Sequence, residues 1–356
     1  MRRIAKSMFG FGLAFVGAMV LLELFLRLSG AGTPSFVISD PRLGVAFRPG
    51  ANFVFFTEGM YLGGVNKYGY LGPAYPPKKE SGVLRVALLG DSFIEGFQLF
   101  DRFHLRTVLE NELNRMGPRH AEVMNFGYSG FDLGLMYYHF TEVVEKFSPD
   151  VALFFVGQDD MAENGEGFGP IFSAVNDSVR VDLSFAQSAR YKRSMKLRLV
   201  HRLALYSMAR NVYLRVQEGG APGILLGKVY DWFHPGARKE TPEPVGGKDN
   251  FWPLNKAIFD ALAVENRSGK IRIAVVEKRP ISAAYREYIR SVGIPVYDLQ
   301  PVFDALKQRG IRYNYWPGSG SIGHWNFNAH EAIGEYLAPL VNELAPPPGK
   351  PGDAKQ

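Results

Sequence analysis

Four short motifs that combine glycines with polar residues follow predicted strands in this chain of 356 residues. They are Gly90-Asp91-Ser92-Phe93, Asn125-Phe126-Gly127-Tyr128-Ser129-Gly130, Gly157-Gln158-Asp159-Asp160 and Gly323-His324-Trp325-Asn326. A serine that follows a strand can present its hydroxyl and its backbone N–H to a crevice, although a serine that only caps the next helix occupies the same position. A serine hydroxyl becomes a good nucleophile when a base such as histidine takes its proton. The motifs therefore contain the side chains for nucleophilic catalysis, provided that the fold gathers them.

The segments around these motifs alternate between strand and helix patterns. Buried strands are predicted at 84–90, 121–126, 151–156, 271–276 and 295–299. Helices are predicted at 105–113, 137–147, 283–291 and 333–344. Such alternation, with right-handed crossovers, gives a parallel sheet that carries helices on both faces. The carboxyl ends of its strands gather the functional loops. We therefore predict an α/β fold with a doubly wound parallel sheet and expect the motifs at one of its edges.

The order and context of the four motifs resemble the SGNH branch of the GDSL hydrolases. This family contains esterases, lipases and carbohydrate acyl-transfer enzymes with a flavodoxin-like sheet. The resemblance covers roughly residues 84–160 and 271–344, and the segment 65–70 is similar to membrane-anchored bacterial members. The resemblance implies a flavodoxin-like SGNH hydrolase fold, with an α/β domain at 84–160 and 271–345.

The resemblance also implies a role for each motif. Ser92 would be the nucleophile and His324 the base. The backbone N–H groups of Ser92 and Gly127, together with a side-chain amide of the third motif, would stabilise the oxyanion. The amide position is Gln158 or Asp159, depending on a one-residue shift in the alignment. An ionised Asp159 would repel the oxyanion, so the chemistry favours Gln158.

The sequence departs from the family pattern before the histidine. The family usually places an Asp two or three residues before it, to orient the imidazole and to stabilise its charged form. Those positions hold Ser321 and Ile322 here. Ser321 can accept a weak hydrogen bond but carries no charge, so the sequence predicts a Ser–His dyad unless an acid arrives from elsewhere in the fold. Asp91 is expected to support the turn beside the nucleophile.

Cofactors and metals are not expected. The chain has no cysteine, which excludes cysteine nucleophiles and thiolate metal sites. His324 and His330 lack partners at metal-ligand spacing, and His330 is interpreted as a residue of the last helix. The segment 318–323 fits the pattern G-x-G-x-x-G but does not follow the first strand of a βαβ unit, so we interpret it as an active-site loop.

Residues 1–30 are predicted to form an N-terminal membrane anchor. Three Lys or Arg residues precede an apolar stretch at 8–28, whose 21 residues can cross about 30 Å of hydrocarbon as a helix. Glu23 and Arg27 are spaced to pair on one face. The basic start predicts a single-pass inner-membrane protein whose bulk lies in the periplasm or another extracytoplasmic space. A cleaved signal peptide has the same basic start and remains the alternative; both export residues 31–356.

Three further segments complete the predicted organisation. Residues 31–83 form a collar of short strands, 161–270 a basic helical insertion, with a flexible connection at 234–250, and 346–356 a disordered tail. Within the insertion, residues 183–217 contain eight Lys or Arg and no acid. A basic amphipathic helix at 190–215 is predicted there, and it is either solvated or bound to an anionic surface. Nucleic acid is not expected as a partner, because an exported chain does not meet it and because the helix lacks a series of stacking aromatic residues.

These observations lead to two functional hypotheses. The first is an extracytoplasmic serine esterase or O-acyltransferase that acts on ester groups, O-acetyl groups above all, of an envelope or exported polysaccharide. The second is a catalytically weakened homologue that binds glycan or serves envelope assembly. Two departures from the family pattern keep the second hypothesis open: Gln158 or Asp159 in place of the Asn of the third motif, and the missing Asp before His324.

Overall fold

The structure, a computed structural model, describes residues 2–29, 35–55, 58–161, 169–209 and 252–347. Its first element is helix α1 (Arg2–Ser29). The stretch Lys6–Leu28 of this helix, 23 residues, is long and apolar enough to cross a membrane, and only 6% of its most apolar part is buried.

Two polar side chains near the end of α1 attach this helix to the insertion. Arg27 Nε donates to Glu23 Oε1 over 2.7 Å, which confirms the predicted pair. The Glu23 carboxylate also accepts the backbone N–H groups of Ala204 and Leu205, each over 2.9 Å. Arg27 donates to the carbonyl of Arg202 over 2.7 Å. The end of α1 is therefore held against the globular part of the chain by hydrogen bonds.

The collar consists of two antiparallel hairpins. Their strands are β1 (Val37–Asp40), β2 (Gly44–Phe47), β3 (Asn52–Phe55) and β4 (Tyr61–Gly64). Phe97, which belongs to the α/β domain, packs against several collar rings: Phe36, Phe47, Phe53, Phe55 and Tyr61. Aromatic burial of this kind contributes strongly to stability. It fixes both hairpins to the domain that carries the predicted nucleophile.

A five-stranded parallel sheet forms the centre of the molecule, as predicted. Its strands are β5 (Leu84–Gly90), β6 (Ala121–Gly127), β7 (Val151–Val156), β10 (Arg272–Glu277) and β11 (Val296–Asp298). They lie in the order β11-β10-β7-β5-β6, and every pair is parallel. In chain order this is 2-1-3-4-5, the flavodoxin-like arrangement. All residues of β5, β6 and β7 are buried, because helices cover both faces of the sheet.

Helices cover the two faces of the sheet, and a short helix, α2 (Ser92–Glu95), follows strand β5. One face carries α4 (Leu133–Glu142), α6 (Trp252–Ser268) and α7 (Ala283–Ser291). The other carries α3 (Leu105–Met116), α8 (Gln300–Gln308) and α9 (Phe327–Leu344). Helix α6 was not predicted, and its residues were included in the insertion, but its buried residues Ile258, Phe259 and Leu262 pack in the sheet core. The α/β domain therefore resumes at Trp252 rather than at residue 271.

The described part of the insertion begins with a hairpin that the sequence analysis missed, β8 (Ile171–Val175) and β9 (Ser178–Asp182). Helix α5 (Ala189–Lys196) follows, then a single turn at Val200–Arg202 and a helical stretch at 204–209. The single basic helix predicted at 190–215 is therefore divided into short pieces over its described part. The predicted connection at 234–250 and the tail beyond residue 347 lie outside the described residues.

Candidate active site

The predicted nucleophile, Ser92, is the first residue of the one-turn helix α2. Asp91 caps this helix: its Oδ1 accepts the backbone N–H of Phe93 over 3.0 Å. Gly96 ends the helix in the left-handed conformation, with φ 68°. Ser92 thus stands at the carboxyl end of the interior strand β5, and the backbone N–H of a first helical residue has no acceptor within its own helix.

The fold brings His324 to this serine from the far end of the chain. His324 Nε2 lies 2.8 Å from Ser92 Oγ. The Phe93 ring packs near the imidazole, with ring centroids 4.8 Å apart. Trp316 Nε1 donates to the His324 carbonyl over 3.0 Å. These contacts fix the position of the imidazole and place its outer nitrogen within hydrogen-bond reach of the serine hydroxyl.

The other imidazole nitrogen meets an acid that the sequence analysis did not identify. Glu58 Oε2 lies 3.0 Å from His324 Nδ1 and also accepts the backbone N–H of His324 over 3.0 Å. Ser321, the orienting residue suggested by position, does not take part, because its hydroxyl is bonded to that of Ser319 at 2.6 Å. A Glu58–His324–Ser92 chain of hydrogen bonds therefore replaces the predicted dyad.

Three features of the backbone let Glu58 reach the histidine. Glu58 lies in the connection between β3 and β4 and has a φ of 64°, a left-handed conformation that non-glycine residues adopt mainly where function or packing requires it. A Cβ on Gly59 would lie 2.0 Å from the Gln98 carbonyl oxygen, so this residue must be small. A Cβ on Gly323 would lie 2.0 Å from Glu58 Oε1. Glycine at 323 therefore leaves the space that the carboxylate occupies.

The surroundings of His324 determine which nitrogen carries the proton. Burial raises the pKa of Glu58, but the hydrogen bonds and the charge of His324 outweigh it and leave this pKa below its ordinary value of 4.5. An ionised carboxylate only accepts hydrogen bonds, so Nδ1 of His324 must be the protonated nitrogen. Nε2 is then free to accept the Ser92 proton. This is the tautomer that a general base for a serine hydroxyl needs.

The backbone N–H of Gly127, the expected oxyanion donor, is already occupied. It donates to Asn125 Oδ1 over 2.9 Å. A Cβ on Gly127 would lie 2.2 Å from the Glu95 backbone nitrogen, so only glycine at this position allows β6 to pack this closely against α2.

Gly130, three residues later, offers another backbone N–H as a candidate oxyanion donor. Ser129 is fixed beside α2, since its N–H donates to Glu95 Oε1 over 3.1 Å and its hydroxyl contacts the other carboxylate oxygen. Glu95 is one helical turn after Ser92, on the same face of α2. Gly130 has a φ of 78°, and a Cβ there would meet nothing within 4 Å. The Gly130 N–H thus lies on an exposed loop, one residue after the contact between Ser129 and α2.

In the third motif, Gln158 and Asp159 make different contacts. Gln158 Oε1 accepts the backbone N–H of Ser282 over 2.8 Å, which directs the amide and leaves its NH₂ group as the donor. Asp159 Oδ2 instead pairs with Arg279 over 3.0 Å. Both side chains are exposed at the carboxyl edge of the sheet. The structure therefore offers an amide donor at 158 and an ion-paired carboxylate at 159.

A buried lysine that sequence reasoning missed supports the nucleophile turn. Lys278, 1% exposed, follows strand β10 and contacts the Asp91 carboxylate; its Nζ also lies 2.9 Å from Asp160. Carboxylate oxygens of Asp91, Asp159 and Asp160 lie within 4.8 Å of one another. The Lys278 ammonium and the Arg279 guanidinium pair with these carboxylates and offset two of their three negative charges. Asp91 thus joins the first turn of α2 to this lysine.

His330 is not a second base. Its Nδ1 accepts the backbone N–H of Leu105 over 3.0 Å, at the start of helix α3. Burial, together with the charges of His104 and His324, lowers the pKa of this imidazole well below its ordinary value. A buried, neutral histidine that caps a helix has a structural role.

No family model matches this chain, and no curated protein matches it. Solved structures are similar in part. LAE5, an alpha/beta hydrolase enzyme from the metagenome of Lake Arreo, Spain, is 15% identical with a TM-score of 0.37, and the match covers 75% of this chain and 98% of that one. The lipase/acylhydrolase from Enterococcus faecalis is 13% identical with a TM-score of 0.35, over 75% and 99% of the two chains. Axe2, an acetylxylan esterase from Geobacillus stearothermophilus, is 12% identical with a TM-score of 0.36, over 73% and 94%.

Proposed function

We propose that this chain is an SGNH-type serine hydrolase or acyltransferase that cleaves esters through a Glu58–His324–Ser92 triad. The observation that carries this proposal is the pair of contacts made by one imidazole, 2.8 Å to the serine hydroxyl and 3.0 Å to the carboxylate. A serine that merely capped a helix would need neither contact. The recognised order of the four motifs supports the same family.

In the first half of the reaction, Ser92 Oγ attacks the ester carbonyl while His324 Nε2 takes its proton. The Oγ–carbon bond forms and the carbonyl electrons move onto its oxygen. When the tetrahedral intermediate collapses, His324 returns the proton to the leaving alcohol, and an acyl-serine remains. In the second half, water or a sugar hydroxyl is activated by His324 in the same way and releases the acyl group. Glu58 stabilises the imidazolium that forms in each half.

The oxyanion receives three donors in this proposal: the backbone N–H groups of Ser92 and Gly130 and the side-chain NH₂ of Gln158. Gly130 takes the place first assigned to Gly127, because the N–H of Gly127 is bonded to Asn125. Each donor of this kind stabilises the transition state by about 3–4 kcal/mol. Asp159 is unsuitable, since a carboxylate beside the oxyanion would raise the energy of the transition state.

The setting proposed for this chemistry is extracytoplasmic, with α1 as a single inner-membrane span and the α/β domain in the periplasm. The length and apolar surface of Lys6–Leu28 support it. In that setting, the proposed substrates are ester groups, O-acetyl groups above all, on an envelope or exported polysaccharide.

The test is covalent labelling of the full chain in detergent with a fluorophosphonate, beside hydrolysis of p-nitrophenyl acetate. We expect one labelled residue, Ser92, and loss of labelling in Ser92→Ala and His324→Ala. Ser178→Ala is the matched control, because it removes the hydroxyl of an exposed serine in β9, outside the site, and should keep the label. A wild-type chain that folds but neither labels nor turns over ester would refute the proposal and favour the glycan-binding hypothesis.

A further inference from the structure

A cavity of about 170 Å³ lies between the collar and the insertion, away from Ser92. One water molecule needs only ~10–15 Å³ of such space, so the cavity has room for a ligand group. Its walls come from the chain around β1, the turn after β2, and the segment that includes α5 and the turn after it. The lining residues are Ser35, Val37, Ile38, Ser39, Arg48, Pro49, Ser194, Met195, Arg198, His201 and Arg202.

Three arginines meet in this cavity: Arg48, Arg198 and Arg202. None of the described lining residues is acidic. Placing several guanidinium groups around one space without an acid is unfavourable unless an anion joins them. The cavity therefore has the charge of an anion site.

Arg48 gives a second, independent indication. Its Nε is buried and has no hydrogen-bond partner among the described residues. A buried donor without an acceptor costs free energy, and a charged donor costs more. Burial, followed by the positive charges of Arg202 and Arg27, lowers the pKa of this guanidinium. A bound anion would satisfy the Nε–H and remove the repulsion at once.

The position of the cavity narrows the class of ligand. Arg202 lies beside the end of α1, since its carbonyl accepts a hydrogen bond from Arg27 over 2.7 Å. The apolar stretch of α1 ends at Leu28, next to Arg27. Headgroup phosphates of a bilayer crossed by α1 would stand at this level. Guanidinium groups match phosphate oxygens in bidentate geometry.

We propose that this arginine cavity binds a phosphate group, either that of an anionic lipid headgroup or a free phosphate. The lipid source depends on the membrane crossing proposed for α1, whereas the free source does not. Neither depends on the esterase chemistry at Ser92.

The test uses the full chain in nanodiscs. In one arm, the thermal unfolding midpoint is compared between nanodiscs of phosphatidylcholine alone and nanodiscs with added phosphatidylglycerol. In the other, inorganic phosphate is titrated into the phosphatidylcholine sample. A ligand that binds the folded state raises the midpoint. An increase in the first arm assigns a lipid headgroup, and one in the second a free phosphate; no increase in either arm overturns the proposal.

Variants then locate the binding. Arg198→Gln and Arg202→Gln change exposed side chains of the cavity, so both should fold. Each should weaken binding about tenfold or more, the loss expected for one charge-assisted hydrogen bond. Arg193→Gln is the matched control, because Arg193 is an exposed residue of α5 outside the cavity lining. Equal weakening in all three variants would mean general charge attraction and would overturn the site.

Discussion

Replacing Glu58 by Gln tests the acid of the proposed triad, which the sequence analysis did not identify. The substitution keeps the shape of the side chain but removes its charge. Glu58 Oε2 accepts two N–H groups of His324, from Nδ1 and from the backbone, each over 3.0 Å. A carboxamide can turn its NH₂ toward Nδ1, which moves the imidazole proton to Nε2. That nitrogen then cannot accept the Ser92 proton.

The magnitude follows from this change of tautomer and from the lost stabilisation of the imidazolium. Removing the charge of a triad acid while its geometry remains lowers kcat by about 10⁴-fold. This corresponds to about 5 kcal/mol in the activation free energy. We therefore expect Glu58→Gln to slow p-nitrophenyl acetate turnover and fluorophosphonate labelling by three to four orders of magnitude, while the thermal unfolding midpoint shows that the chain remains folded.

Two controls make the result specific. Glu80→Gln removes the charge of an exposed acid of the same collar and should leave the turnover unchanged. Ser321→Ala removes the hydroxyl at the position where the family places its Asp, and it should change turnover less than about threefold, since Ser321 bonds to Ser319. A Glu58→Gln chain that works within tenfold of wild type, or a Ser321→Ala chain as slow as Glu58→Gln, would refute the assignment of the acid.

Three further outcomes are expected. Gly323→Ala places a methyl 2.0 Å from Glu58 Oε1, so we expect kcat of ester turnover to fall by about 10²-fold. The control is an alanine substitution at an exposed loop glycine. An unchanged kcat in Gly323→Ala would show that Glu58 does not need the space left by this glycine. Gln158→Ala should lower kcat by about 10²–10³-fold, whereas Asp159→Asn should cost less than tenfold; the reverse ranking would contradict the assignment of Gln158 as the oxyanion donor. Burial raises the pKa of Glu95 to about 7, against the lowering effect of its hydrogen bonds, so the folded state binds the proton more tightly than the unfolded state. The free energy of unfolding should therefore fall by up to about 3 kcal/mol as pH rises from 5 to 8. Thermal unfolding of Glu95→Gln should show a weaker dependence on pH. The same pH dependence in Glu95→Gln and wild type would contradict this role of Glu95.

The sequence predicted the parts of the fold that have strong local signals. The apolar runs at 84–90 and 151–156 are strands in the centre of the sheet, where both faces are buried and the pattern is continuous. Helix Trp252–Ser268 was assigned to the insertion, because no predicted strand precedes it directly. The hairpin at 171–182 turns at Asn176-Asp177, a pair with φ of 50° and 57°, and this two-residue turn is a signal that could have been used.

The sequence analysis anticipated the contact between residues that follow strands. It did not anticipate the contact made by a residue from a distant loop. Ser92 and His324 meet as expected, because the carboxyl ends of parallel strands share one edge. Glu58 had no sequence signal: it lies 266 residues from His324, in a glycine-rich segment without periodicity. Gly127 and Gly130 could not be distinguished without knowing which N–H is already bonded. That information exists only in three dimensions.

The acid of the triad comes from the collar, whereas the serine and the histidine come from the α/β domain. A chain whose sheet has formed but whose two hairpins have not yet docked on Phe97 holds its serine without a complete relay. Such an intermediate would lack esterase activity until folding is complete. In the proposed mechanism, ester turnover would therefore report the docking of the collar, because formation of the acyl-serine needs all three residues of the triad.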